Sequence, residues 1–559
     1  MRIGKKLLVA ILAFCCAFGG AACNPDDGVP TDKPAITLTY YQAGYGDAYI
    51  KALQKAFNDR AQAGEYDFYL KLQPDPQAAV NVRTAIVNKE YGSTIPDLAI
   101  LESISLREWV CAGYLTDISD VWETEVPSAA FEGGTATIAE KIEPVLGERL
   151  TVEGKRYSVP MQGGVTGLLY NKTLLKEITG SDAPPQTMAE MWRISEAMET
   201  YGKNMNGSSA DDVYTFVYPS NAISYFRYFT INNFAQILGE QGYWDLYDLK
   251  DIAAKLETDE YRYAYETVFE GTAKMGQKTN PTGNDNRFQL LSSNSHTMAL
   301  LAFSQGRGVF TPCGDWAYTE IESVNDAFTA EEVGFMSIPL VCDPDTEKVV
   351  AKPTPSSVVF AGVDRNDAQA VAAAEEKYYK IEREKVDANS VPEEDADSDY
   401  IYFERFNFST GADVSMVIPN GSEHVEEAKQ VIAFFASDEA LTVFTQYTGS
   451  KLPYTYEVSS SVYGALPAFG KTTYDLYGNS TSLYDASTYK GVAYGLIGMY
   501  TTKSSSFGDL NTEMMIWDAS DTAASIAQTI YTEVKNGILF KLETIDNDIA
   551  IFEDQIALA

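Results

Sequence analysis

Apolar residues along the first hundred positions alternate between the two-residue period of a strand and the longer period of a helix. Ile36-Thr-Leu-Thr-Tyr-Tyr41 is β-branched and aromatic, predicts a strand, and ends in the turn Gln42 to Gly46. Ile50, Leu53, Ala56 and Phe57 then share one helical face, with Asp47 ahead of them and Gly64 as a stop. Phe68 to Leu72 predicts a second strand, Ala78 to Glu90 a helix, and Pro96 to Leu101 a third strand. A helix through Leu106 and Trp109 follows. This rhythm predicts an α/β domain with a mixed, mostly parallel sheet flanked by helices. Ligands of such sheets bind beyond the carboxyl ends of the strands, here the loops Gln42 to Asp47 and Glu102 to Ser105.

A second block repeats the pattern. Arg156 to Met161 is extended, Gly163-Gly164 breaks it, and Gly167 to Tyr170 resumes as a strand, with Asn171 placed to cap a short helix from Lys172. Met191, Ile194 and Met198 mark a helix after Pro184-Pro185-Gln-Thr187, and Ser224 to Leu238 reads as a buried helix. Gly306 to Phe310 predicts a strand, Thr311 to Trp316 a loop, and Ala317 the start of a helix. Val333 to Leu340 and Gly411 to Pro419 predict further strands, and Glu426 to Ser437 a helix. The stretch 341–410 reads as an insertion with a helix over Ala368 to Lys385. Asp395, Asp397 and Asp399 alternate there as in a calcium loop, but Tyr400 stands at the turn glycine and Phe406 at the bidentate glutamate.

Charge and composition narrow the function. The chain carries 42 Lys+Arg against 79 Asp+Glu, a net charge of −37. That balance excludes general nucleic-acid binding, which needs clustered basic residues. The three cysteines beyond residue 23 (Cys111, Cys313, Cys342) and the two histidines, His296 and His424, exclude a disulfide scaffold, a zinc ribbon and a multi-histidine centre. Whether Cys313 and Cys342 pair stays open. No catalytic residue, resident metal or cofactor is assigned.

At the N-terminus, Arg2, Lys5 and Lys6 precede an apolar run from Leu7 to Phe18, too short for a membrane span, and then Gly-Gly-Ala-Ala-Cys23. This resembles a bacterial lipobox. Residues 1–22 are read as a lipoprotein signal peptide and Cys23 as the lipidated residue, with ordinary cleavage after an Ala-x-Ala site as the alternative, and residues 23–34 as a flexible tether. The chain is expected at the cell membrane, anchored by lipid on the extracytoplasmic face.

Four segments in order then resemble one family. They are Pro96-Asp-Leu-Ala-Ile-Leu101 through Ala112-Gly-Tyr-Leu-Thr-Asp-Ile118; Gly154-Lys-Arg-Tyr-Ser-Val-Pro160 through Tyr170-Asn-Lys-Thr-Leu174 and Pro184-Pro185-Gln-Thr187; Gly306 to Phe310 through Gly314-Asp-Trp316; and Pro419 to Gly449. Together they are similar to extracellular solute-binding proteins of carbohydrate ABC transporters, of the maltose-binding-protein type. Met188 stands where the family usually has Trp, and the final hundred residues match poorly. The resemblance implies a two-lobed periplasmic-binding-protein type II fold. Lobe 1 would take residues 35–162 plus 336–450, with the insertion 341–410, and lobe 2 residues 163–335 plus 451–559. Hinge crossings fall near Met161–Gly164, Gly334–Pro339 and Gly449–Pro453. It also implies a monomer that captures a sugar or oligosaccharide in the inter-lobe cleft and delivers it to ABC permease subunits.

A sugar presents hydroxyls that suit planar polar side chains and an apolar face that suits an aromatic ring. Tyr41, Tyr45, Asp47, Glu102, Gln162, Asp315 and Trp316 on the candidate loops supply both. Asp47 and Asp315 read equally as helix caps, and Tyr41 equally as core. Two other readings stay open: a secreted glycoside-active enzyme using a carboxylate pair, and an Fe(III)-binding protein of the same broad fold, with Tyr225 and Tyr228 as its tyrosine pair.

Overall fold

A computed structural model describes residues 29–484 apart from 43, 90–92, 103, 202–212, 220–224, 226, 248–250, 277–287, 292–295, 326–331 and 410–413, together with 522–532 and 535–536. Residues 1–28, with the segment read as a signal peptide, Cys23 and the first part of the expected tether, lie outside the described residues.

Among them, β1 (Ala35–Tyr40), α1 (Ala48–Gln62), β2 (Tyr69–Pro74), β3 (Leu98–Glu102) and β4 (Ser158–Pro160) build the first lobe. Its five-stranded sheet runs β2, β1, β3, the late strand Val414–Val417, then β4. The second lobe contains β5 (Thr166–Asn171), β6 (Tyr214–Pro219), α2 (Arg227–Tyr247), β7 (Phe288–Leu291), α3 (His296–Ser304), β8 (Gly308–Gly314), α4 (Ala317–Val324) and β9 (Val333–Met336). Its sheet runs β7, β6, β8, β5, β9. Beyond it come β10 (Phe406–Ser409), β11 (Val414–Val417), α5 (Asp438–Thr448) and β12 (Thr481–Tyr484).

The sheets are mixed, and less parallel than expected. β1 pairs parallel with β2 and β3, and β6 with β7 and β8. The remaining pairings, β11 with β3 and β4, and β5 with β8 and β9, are antiparallel. The cause is connectivity. β5 and β11 each enter a sheet directly from the other lobe, so they run away from the junction while their neighbours run towards it. The carboxyl ends of β1, β3, β4, β6 and β8 therefore converge between the lobes.

Local boundaries follow side-chain chemistry. Asn171 accepts the Leu174 amide at 3.0 Å and caps its helix as expected. Asp47 precedes α1, but its side chain accepts none of the helix amides, and its carboxylate pairs with Lys51 one turn on at 2.5 Å. Trp109 and Trp192 are core, at 4% and 2% exposure. In the insertion the expected long helix stops at Glu375, and Tyr378–Glu382 is a strand. Its alternating tyrosine, lysine and isoleucine residues suit a strand exposed on one side. Asp395 is buried and accepts the Ser356 amide, and Glu394 accepts that of Ser357, so this acidic run caps a helical turn.

The crossings need one correction. The segment 161–165 joins β4 to β5, and 449–453 follows α5. The second expected crossing does not fall at Gly334–Pro339. The chain stays against lobe 2 after β9: Leu340 N–H donates to Gln186 O, Val341 N–H to the Gln236 side chain, and Tyr379 Oη to Ile338 O. β10 also packs there, with Thr166 Oγ1 donating to Phe408 O, and the chain re-enters lobe 1 only between β10 and β11. The insertion 341–410, expected with lobe 1, thus lies against lobe 2. Gly334 is small because the Tyr170 ring covers it; a Cβ there would sit 2.1 Å from that ring. Its glycine signal came from packing rather than rotation.

The crossings bind one another. Gly164 N–H donates to Lys451 O at 3.0 Å, and Asn407 Nδ2 donates to Gly164 O at 3.2 Å. Gly164 has φ +77°, and a Cβ on it would lie 2.5 Å from the Asp315 carboxylate. Gly164→Ala is therefore expected to cost well over about 1 kcal/mol through backbone strain and the clash. Chemical denaturation of the two forms measures it, and an unchanged midpoint would contradict the close contact.

Candidate functional site

The loop after β1, the end of β3, the first crossing and the turn from β8 into α4 meet between the lobes. Asp315 lies at their centre, 3% exposed. Its carboxylate accepts the Tyr45 hydroxyl at 2.6 Å, the Val165 amide at 3.3 Å and the Ser450 hydroxyl. Tyr45 comes from lobe 1, Asp315 from lobe 2, Val165 from the first crossing and Ser450 from the third. Asp315 is thus neither a helix cap nor an open ligand group. It ties the lobes at the hinge. Burial raises its pKa to about 6, the hydrogen bonds opposing part of that shift. Tyr45 is committed in the same way, and burial beside Asp315 holds its hydroxyl well above the usual range.

Trp316 is 6% exposed and wedged across the junction. A Cβ on Gly314 would meet its ring at 2.0 Å, and one on Gly44, from lobe 1, would meet it at 2.6 Å. Gly314 therefore makes room for this indole rather than for an incoming molecule. The ring packs edge-on against Tyr45 at 6.5 Å and Tyr225 at 6.2 Å between centroids.

Tyr41 and Glu102 form the more open side. Both are partly buried, and they are hydrogen-bonded to each other. Burial and then Glu102 push Tyr41 up to about 12, and burial raises Glu102. Gln162 is buried in the first crossing. Asp47 remains on the surface of α1 with Lys51.

Four residues absent from the expected set complete this region. Tyr225 packs edge-on to His296 at 5.2 Å, and burial, then the neighbouring Tyr228, Cys313, Glu320 and Glu102, raise its pKa. His296 Nε2 lies 2.7 Å from Glu320 Oε2 and 3.8 Å from Cys313 Sγ. Nothing in their spacing marks them, since they come from α3, β8 and α4. Tyr225 and Tyr228 stack at 5.4 Å with Tyr228 fully buried, an arrangement of packed rings. Cys313 and Cys342 are free thiols.

The Asp315 shift sets a sign. A carboxyl raised to about 6 holds its proton more tightly in the fold than in the free chain. Stability then falls as pH rises from about 4 to about 6, by on the order of 3 kcal/mol at most. Asp315→Asn is expected to flatten that loss, while Asp315→Ala removes the shared acceptor of the Val165 amide and of the Tyr45 and Ser450 hydroxyls, leaving those two hydroxyls only their mutual 3.1 Å contact, at a cost of about 1–3 kcal/mol. Denaturant midpoints at pH 4.5 and 7 test this, and an unaltered slope in Asp315→Asn would place its origin elsewhere.

Known proteins share this architecture. The multiple sugar-binding protein of Streptococcus mutans is 22% identical over 334 residues, 57% of this chain; the match spans about two thirds (66%) of that relative's length. The apo-form of RafE from Streptococcus pneumoniae superposes with a TM-score of 0.52 at 16% identity, covering 91% of this chain and 99% of that one. The GacH receptor of Streptomyces glaucescens, determined unliganded and with acarbose, gives 0.52 at 13% identity over 90% and 99% of the two chains. At such identities the structural likeness is one of fold. The model of the bacterial extracellular solute-binding protein family matches residues 48–471, most of the chain and both lobes, and the chain belongs to that family.

Proposed function

We propose that this chain is the sugar-capturing component of an ABC importer, holding a sugar or oligosaccharide between its lobes and passing it to the membrane permease as a monomer. The observation that carries the reading is the meeting of aromatic rings and carboxylates at the converging strand ends: Tyr41, Tyr225 and Trp316 beside Glu102 and Glu320. Carboxylates accept hydrogen bonds from pairs of sugar hydroxyls, while rings cover the C–H face of a pyranose. The names of the similar proteins agree, since one is a sugar-binding protein and another was determined with acarbose. Tyr45 and Asp315 serve here by positioning the lobes. Gln162 and Asp47 stay secondary contacts. The chain reaches its site of action by export, and a diacyl group on Cys23 holds it to the outer face of the membrane; two acyl chains suffice for stable anchoring.

A thermal-shift screen of delipidated protein against mono- and oligosaccharides identifies the ligand, because binding to the native state raises its stability. With that ligand, Tyr41→Phe and Glu102→Gln are expected to weaken affinity about tenfold, one decade per 1.4 kcal/mol, at nearly unchanged melting temperature. Trp316→Ala is a poorer probe, since truncating so buried an indole costs about 3–5 kcal/mol of stability by itself. Normal binding by both mild variants would move the site. Release of reducing ends from the bound sugar would make the protein an enzyme. Cys23→Ala is expected to shed the protein or leave an uncleaved precursor, and processed protein retained on membranes would remove the anchor.

A further inference from the structure

His296, Cys313 and Glu320 stand together although α3, β8 and α4 deliver them separately. Their ligand atoms, Nε2, Sγ and a carboxylate oxygen, all lie within 4.8 Å of one another. We propose that these three side chains form a binding site for a borderline divalent cation of the Zn²⁺ class, at the edge of the inter-lobe cleft.

The donor set decides the ion. Thiolate with imidazole selects zinc-like metals, whereas calcium and magnesium take oxygen ligands. Bonds of about 2.0–2.3 Å at tetrahedral angles place donors roughly 3.3–3.8 Å apart. The 3.8 Å between Cys313 Sγ and His296 Nε2 already fits. The 2.7 Å between His296 and Glu320 is a hydrogen bond and must open by about half an ångström. Glu320 sits in the first turn of α4 with 28% of its side chain exposed, so it has room to move. Cys313 is fully buried on β8, rigidly placed, while His296 and Glu320 keep 19% and 28% side-chain exposure and give the ion a way in.

The surroundings favour positive charge. Glu102 and Glu320 act on both Tyr41 and Tyr225, and Asp315 and Glu320 act on Cys313. Among the described residues no basic side chain acts on these groups, so the region attracts a cation. Three protein ligands leave a fourth tetrahedral position for water or for an oxygen of a molecule in the cleft. Binding turns the Cys313 thiol into a thiolate and releases one proton to solvent, so affinity falls about tenfold per pH unit below the thiol range.

Co²⁺ alone, added to the purified chain without sugar, is the probe. The expected result is a near-ultraviolet thiolate-to-cobalt charge-transfer band saturating at one ion per chain and displaced by Zn²⁺. Cys313→Ser is expected to abolish the band, and Glu320→Gln and His296→Gln to weaken cobalt binding about tenfold or more. These two partly exposed positions keep the test valid should the buried Cys313→Ser variant fail to fold. Absence of the band in the wild-type protein overturns the proposal. So does a band that survives Cys313→Ser, which would come from another cysteine, or one indifferent to both Glu320→Gln and His296→Gln. Since no sugar is present, failure here leaves the sugar reading standing, and the reverse holds too.

Discussion

A single buried carboxylate joins the two halves of this molecule. Asp315 accepts hydrogen bonds from Tyr45 of one lobe, Val165 of the first crossing and Ser450 of the third. Each donor comes from a different stretch of chain, so the lobes cannot rotate without exchanging these bonds. Gly164 and Gly314 sit beside it because no Cβ fits. A charged group in so dry a place costs stability, and its directional bonds define one relative arrangement of lobes.

Further buried contacts join the same halves. The Arg149 guanidinium lies 3.5 Å over the Trp244 ring. Glu143 accepts from Tyr477 at 2.7 Å and also from Tyr484. Aromatic hydroxyls and cation–π contacts re-form more readily than an apolar interface re-packs, which suits surfaces that part and meet again. The arrangement leaves Tyr41, Glu102 and Glu320 at the junction with less of their bonding capacity consumed than Asp315.

The chain is strongly acidic overall, with a net charge of −37, and Glu102, Asp315 and Glu320 meet at the junction. Neutral polyols are indifferent to such a field, while cations are drawn by it. One junction can thus combine ring-and-hydroxyl recognition with a place for a metal ion, without either depending on basic side chains.

Periodicity alone determined the alternation of strands and helices, because side chains repeat every two residues on a strand and about every 3.6 on a helix. Ile36 to Tyr41, Pro96 to Leu101 and Gly167 to Tyr170 were legible as strands, and Asn171 as a cap. Fold logic also pointed to the loops after β1 and β3. What the sequence left undetermined was partnership. Asp315 and Tyr45 read as ligand groups because nothing local reveals that they bond each other across 270 positions. Gly334 read as a hinge because a glycine beneath a tyrosine ring looks the same in sequence as one that must rotate. His296, Cys313 and Glu320 carried no motif at all, since separate elements bring them together. Sequence spacing records neighbours along one helix or strand; contacts between elements exist only once the chain has closed on itself, and there the roles of the polar residues were decided.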